Sequence, residues 1–119
     1  MERGGLMYSG QDLYNASKEQ RKELINAVND MKSSGRYLAT AERDFKIALR
    51  KEILRLHIED NVAWTACENL AKGDENVAIL RFKRDVHRSD YEVALERINA
   101  IKLEIRLLEN EIAEEKRGA

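Results

Sequence analysis

Asp74 to Arg117, DENVAILRFKRDVHRSDYEVALERINAIKLEIRLLENEIAEEKR, is the stretch whose residue spacing decides the fold. Read in sevens, it places Val77, Arg84, Tyr91, Ile98, Ile105 and Ile112 at one seam position. Leu80, His87, Ala94, Ile101, Leu108 and Glu115 fall at the other. A heptad with two such positions is the signature of a helix that buries one narrow stripe against a neighbour. Nine of these twelve residues are apolar, and the five from Ile98 to Ile112 are all Ile or Leu, so the stripe needs covering along most of its length.

Working outward, 119 residues without a compositional break predict one unit with one core. Proline is absent, and 36% of residues are charged, a composition of long helices with solvated flanks. The expected fold class is all-α. Acidic and basic residues nearly cancel, 22 against 21, so no global field draws the chain to nucleic acid or to an anionic membrane. One cysteine, Cys67, excludes an internal disulfide. No apolar run approaches the roughly 20 residues of a membrane span. Met1-Glu2-Arg3-Gly4-Gly5 lacks the basic-then-apolar layout of a secretory leader, and the expectation is a soluble cytoplasmic protein.

Residues 1–12 hold three of the six glycines and read as a loose arm carrying Leu6, Met7 and Tyr8, with 13–119 as the helical domain. Asp12 or Ser17 supplies a helix cap. Leu24, Val28, Met31, Leu38, Phe45, Leu49 and Leu56 then keep a single rhythm through Ser33-Ser34-Gly35, which two independently oriented helices would not preserve. The spacing therefore predicts one helix from about 17 to 59, a bend at Gly35 being the alternative. Val62, Ala63, Trp64, Ala66, Cys67 and Leu70 form a short helix ended by Gly73 in the manner of a glycine cap, and Asp74 caps the last helix. Two long helices of equal length, about 65 Å each at 1.5 Å per residue, predict a long antiparallel, coiled-coil-like hairpin with the Trp64 helix as its head.

Flanking charges bear on self-association through the seam residues Ile98, Ile101, Ile105, Leu108 and Ile112. A parallel pair faces Arg97 with Lys102 and Glu104 with Glu109, against one favourable contact of Glu111 with Lys116. An antiparallel pair centred near Asn99 and Ala100 sets Arg97 by Glu104, Arg88 by Glu109 and Arg84 by Glu115, with Asp90 near Glu111 as its cost. An antiparallel homodimer is the expectation. A second apolar strip of Val93, Ala100, Leu103 and Leu107 lies off the seam, so this helix asks for two neighbours.

The chemical motifs are mostly absences: no phosphate-binding glycine loop, paired-cysteine zinc arrangement, His-Glu-x-x-His or nucleophile elbow occurs. The expectation is no enzyme, no cofactor and no metal. His57, Glu59 and Asp60, or His87 and Asp90, are the sparse metal-ligand candidates. Cys67 beside Trp64 and Leu70 reads as a small buried apolar residue rather than a nucleophile. The main polar feature is Arg81-Phe82-Lys83-Arg84-Asp85-Val86-His87-Arg88. In it Arg81, Arg84 and Arg88 share a helical face and, with His87 and the nearby Lys72, form a basic surface near the head. Asp74, Glu75, Asp85 and the facing helix are the carboxylates able to neutralise it. Trp64 is a binding anchor or a packing residue of the head.

Ala41-Glu42-Arg43-Asp44-Phe45, Asn69-Leu70-Ala71-Lys72-Gly73-Asp74, Arg81-Phe82-Lys83-Arg84-Asp85 and Ile98-Asn99-Ala100-Ile101-Lys102 resemble small helical proteins of bacteriophages and prophages of Gram-positive bacteria. The resemblance spans residues 38 to 115 and implies no catalytic residues; it implies action by binding. The leading expectation is a non-enzymatic interaction protein that binds a protein partner through the head and basic face, with inhibition of a bacterial defence complex, as anti-CRISPR proteins do, as its first form. The alternatives are a nucleic-acid-binding accessory using Lys72, Arg81, Arg84 and Arg88 on phosphates, and a purely structural coiled coil.

Overall fold

The seam found in the sequence is the surface on which the fold is built. In the computed structural model, which describes residues 10–118, the chain forms three helices: α1 (Gly10–Glu59), α2 (Trp64–Lys72) and α3 (Glu75–Gly118). From Glu75 to Asn110 the buried and half-buried residues are seam residues without exception, and of the twelve seam positions only Glu115 is exposed. The protein is an all-α antiparallel helical hairpin with a short head helix.

Packing divides it into two units, one made of the chain up to Asp30 together with Ala94 onward, the other of Met31–Val93. In the first, Arg21 pairs with Glu109 at 2.8 Å, and Arg97 reaches Glu23 at 3.1 Å and Asp30 at 2.8 Å, so α1 and α3 run in opposite directions. Leu13, Ala27, Ile98 and Ile101 are its buried apolar residues. In the second, Glu42 meets Arg88 at 2.9 Å, and Phe45 carries the Arg84 guanidinium 4.6 Å above its ring. Ala41, Phe45, Cys67, Ala71 and Val77 are buried there.

On α1 the sheltered positions also recur in sevens. One column is Leu13, Gln20, Ala27, Ser34, Ala41 and Ala48; the other is Ser17, Leu24, Met31, Leu38, Phe45 and Glu52. The expected stripe from Leu24 to Leu56 is sheltered throughout, and the helix is unbroken at Gly35. The start differs from the expectation of residue 17. Leu13 is 3% exposed and Ser17 is buried, so the seam runs one heptad further back and Ser17 is a packing residue inside the helix rather than its cap. Gly10, Gln11 and Asp12 of the expected arm are thereby helical. Leu6, Met7 and Tyr8 lie outside the described residues.

Local chemistry closes the ends. Asp74 Oδ2 accepts a hydrogen bond from the Val77 backbone N–H at 3.2 Å, the expected cap of α3. Gly73 ends α2 where expected but in another conformation. Its φ of −85° is ordinary right-handed backbone, and its N–H and that of Asp74 donate to the carbonyls of Leu70 and Ala71 in a tightened last turn. The left-handed residue is instead Asn61 at φ 57°, just past α1.

Gly35 is the one glycine inside a long helix, where it costs about 1 kcal/mol relative to alanine. An added Cβ would stand 3.4 Å from the Tyr91 ring, in ordinary contact. Gly35→Ala is therefore expected to stabilise the protein by about 0.5 to 1 kcal/mol in urea unfolding. A loss of stability would show that Tyr91 needs the glycine.

Candidate functional site

The head of the second unit is shaped by the corner between α1 and α2. Asn61 takes the left-handed backbone that Asn tolerates better than most residues, and the chain reverses there. The Val62 N–H then donates back to the Leu56 carbonyl at 3.1 Å. The Val62 carbonyl in turn accepts from His57 Nδ1 at 2.8 Å and lies 3.5 Å from the Cys67 thiol. With Nδ1–H as donor, the His57 ring is fixed in orientation, and Trp64 stacks on it with centroids 3.6 Å apart.

Trp64 is 56% exposed despite that stack. Its free side closes a groove of about 520 Å³ with Lys46, Leu49, Arg50, Ile53 and Leu54 of α1. Leu49, Ile53, Leu54 and Trp64 make an apolar floor. Lys46 and Arg50, one turn apart, set a positive rim. Neither cation has an ion-pair partner among the described residues. Such a surface suits an apolar segment that also carries negative charge.

A second groove of about 380 Å³ has a different character. Asp44, Lys51, Glu52, Arg55 and Asp74 line it beside Val77. Glu52 and Arg55 are hydrogen-bonded, and Asp60 holds Arg55 from the other side at 3.1 Å. The hydrogen bond to Glu52 chiefly, with the charges of Glu52 and Asp60, holds the Arg55 guanidinium further above its already high value. Glu52, Arg55 and Asp60 thus satisfy one another, and Asp44 is paired with Arg43 at 3.1 Å.

The basic face read from the sequence is largely consumed within the chain. Arg84 is the most sheltered member, its side chain 16% exposed between Asp85 and the Phe45 ring. Arg88 is held by Glu42, and Lys72 by Glu68 at 3.2 Å. Arg81 alone of the four has no ion-pair partner among the described residues. Two of the carboxylates, Asp85 and Glu42 of the facing helix, come from the expected neutralising set. The charges assigned to a seam dimer are likewise engaged internally: Arg97 with Glu23 and Asp30, Arg88 with Glu42, Arg84 with Asp85. Of the seam itself, Ile98 and Ile101 are buried in the single chain, and Ile105, Leu108 and Ile112 are half-buried. Leu13 and Ile112 line one small cavity together.

His87 stacks on Tyr37 with centroids 5.6 Å apart, Cys67 is fully buried, and His57 is committed to Val62 and Trp64. Among the described residues no three His, Cys, Asp or Glu side chains are grouped to hold a metal ion, and no helix is long and apolar enough to cross a membrane. Compared with protein-family models, curated proteins and solved structures, the chain matches none.

The sequence reading singled out Trp64 but not Lys46, Arg50 or Leu54. Their signal was present: Lys46 and Arg50 lie four apart on the outer side of α1, with Leu54 four further on. Only the turn at Asn61 brings Trp64 over them. Asn61→Gly is expected to leave stability within about 0.5 kcal/mol of the wild type, whereas Asn61→Val should cost about 1 to 2 kcal/mol in urea unfolding. Equal stability of the two variants would mean that the corner relaxes out of the left-handed region.

Proposed function

We propose that this chain is a non-enzymatic interaction protein whose head groove receives an acidic, apolar segment of a protein partner. The observation that carries the reading is the groove itself: an apolar floor with a half-exposed tryptophan, rimmed by two cations that the rest of the described chain does not neutralise. Tryptophan in an apolar pocket with a charged rim is the composition of a binding hot spot. Burying Leu54 and the outer face of Trp64 contributes affinity, and Lys46 and Arg50 contribute orientation and encounter rate. This moves the proposed contact from the Lys72, Arg81, Arg84 and Arg88 face onto α1, because three of those four cations already have partners. The resemblance to phage proteins makes a bacterial defence complex the first partner to try, with the chain as its inhibitor.

Trp64 is the only tryptophan, so its fluorescence reports on the groove without labelling. Titrating a purified defence complex is expected to shift Trp64 emission. The Lys46→Glu, Arg50→Glu double variant should weaken binding at least tenfold while Arg81→Glu leaves it unchanged. Binding that persists from low to high salt fits an apolar protein interface. A duplex DNA that binds more tightly than any protein and is lost steeply with salt would favour the nucleic-acid reading instead. Unchanged affinity of the double variant would take the groove out of the site.

A further inference from the structure

α3 carries a second heptad on the side turned away from its seam. Ile79, Val86, Val93, Ala100 and Leu107 recur every seven residues, and the companion position holds Phe82 and Leu103 with the polar Ser89, Glu96 and Asn110. All are exposed: Phe82 by 70%, Val93 by 65%, Leu107 by 52%. Large apolar residues left in water along one side of a helix form a surface for another helix.

We propose that this face of α3 pairs with the same face of a second copy of the chain, antiparallel and in one register. In that register Phe82 lies against Leu107 of the second copy, Val86 against Leu103, Ser89 against Ala100, Val93 against Glu96 and Ile79 against Asn110, with the mirror contacts generated by the twofold axis. The flanking charges select it. Lys83 meets Glu104 of the second copy, Asp85 meets Arg106, and Asp90 meets Arg97, so each of these contacts is between opposite charges and is made twice. Lys83, Glu104, Arg106 and Asp90 have no ion-pair partner in their own chain among the described residues; Asp85 and Arg97 would share theirs.

Neighbouring arrangements are worse. Shifting one heptad one way sets Lys83 against Arg97, Asp90 against Asp90 and Glu92 against Glu92. Shifting the other way gains Lys83 with Glu111 and Glu92 with Arg106 but sets Asp90 against Glu104 and Arg97 against Arg97. A parallel in-register pair gains Glu92 with Arg97 and Arg106 with Glu111, but it stacks Glu96 on Glu96 within the apolar face and puts Asp85 beside Asp90, leaving fewer opposite-charge contacts than the antiparallel register. Complementary charge therefore specifies a second copy and one orientation. This dimer is independent of the head groove and of the Ile98 to Ile112 seam, which α1 already covers.

Sedimentation of the full chain over a concentration series is expected to show a monomer–dimer equilibrium. Phe82→Asp should abolish the dimer while circular dichroism stays unchanged, since the side chain is exposed in the single chain. Lys83→Glu and Glu104→Lys should each weaken the dimer about tenfold, because two exposed pairs per dimer turn from attraction to repulsion, and the combined variant should restore it. A wild-type chain that stays monomeric at about 0.5 mM, roughly −4.5 kcal/mol of association, overturns the proposal. So does a dimer that survives Phe82→Asp, or a combined charge reversal that fails to rescue.

Discussion

A helix with one long neighbour can bury one stripe, and the other faces of that helix must either be polar or find a second neighbour. This constraint governs the protein. The seam of α3 is covered by α1 within the same chain, and from Glu75 to Asn110 the residues that do not fit the seam are left in water whatever their chemistry. Burial of Ile98, Ile101, Phe45 and Val77 stabilises the hairpin by roughly 1.5 to 3 kcal/mol per side chain relative to exposure. Exposed pairs such as Arg21 with Glu109 add less than about 1 kcal/mol each and serve mainly to fix direction and register. The same geometry that satisfies one stripe leaves Phe82, Leu103 and Trp64 available for other contacts.

The fold was legible because heptad phase is a long-range signal. Seven-residue recurrence from Val77 to Ile112 located the buried face of α3, and unbroken phase through Gly35 correctly outweighed the local propensity of Ser33-Ser34-Gly35 to break α1. The start of α1 was less legible. Leu13 and Ser17 continue the rhythm, but two sheltered residues among polar neighbours carry little periodic weight, and the capping preference of serine pointed to the wrong role for Ser17. Gly73 ends α2 as read, while its right-handed backbone was not legible, because a glycine after a helix permits left-handed backbone without requiring it.

The candidate site was legible in its parts and not in its assembly. Trp64 stands out in any reading. Its partners on α1 do not, because they become a groove only through the reversal at Asn61, the fixed His57 ring and the stack between His57 and Trp64. Charge reads poorly from sequence for the same reason. Arg81, Arg84 and Arg88 share a helix face, yet what decides their availability is the opposite helix, where Glu42 holds Arg88 and Phe45 lies under Arg84. Lys46 and Arg50 look unremarkable in the sequence and emerge as open cations because no such partner faces them among the described residues.

The account rests on α1 of a chain covering the seam of α3 in that same chain, which is what frees the remaining faces for partners. The most direct measurement is a pulsed electron-resonance distance between spin labels at Lys22 and Glu109, taken with the labelled chain diluted into an excess of unlabelled chain. The account predicts a short distance that dilution leaves in place. Loss of the short distance on dilution would show that the seam is closed between chains, and would contradict it.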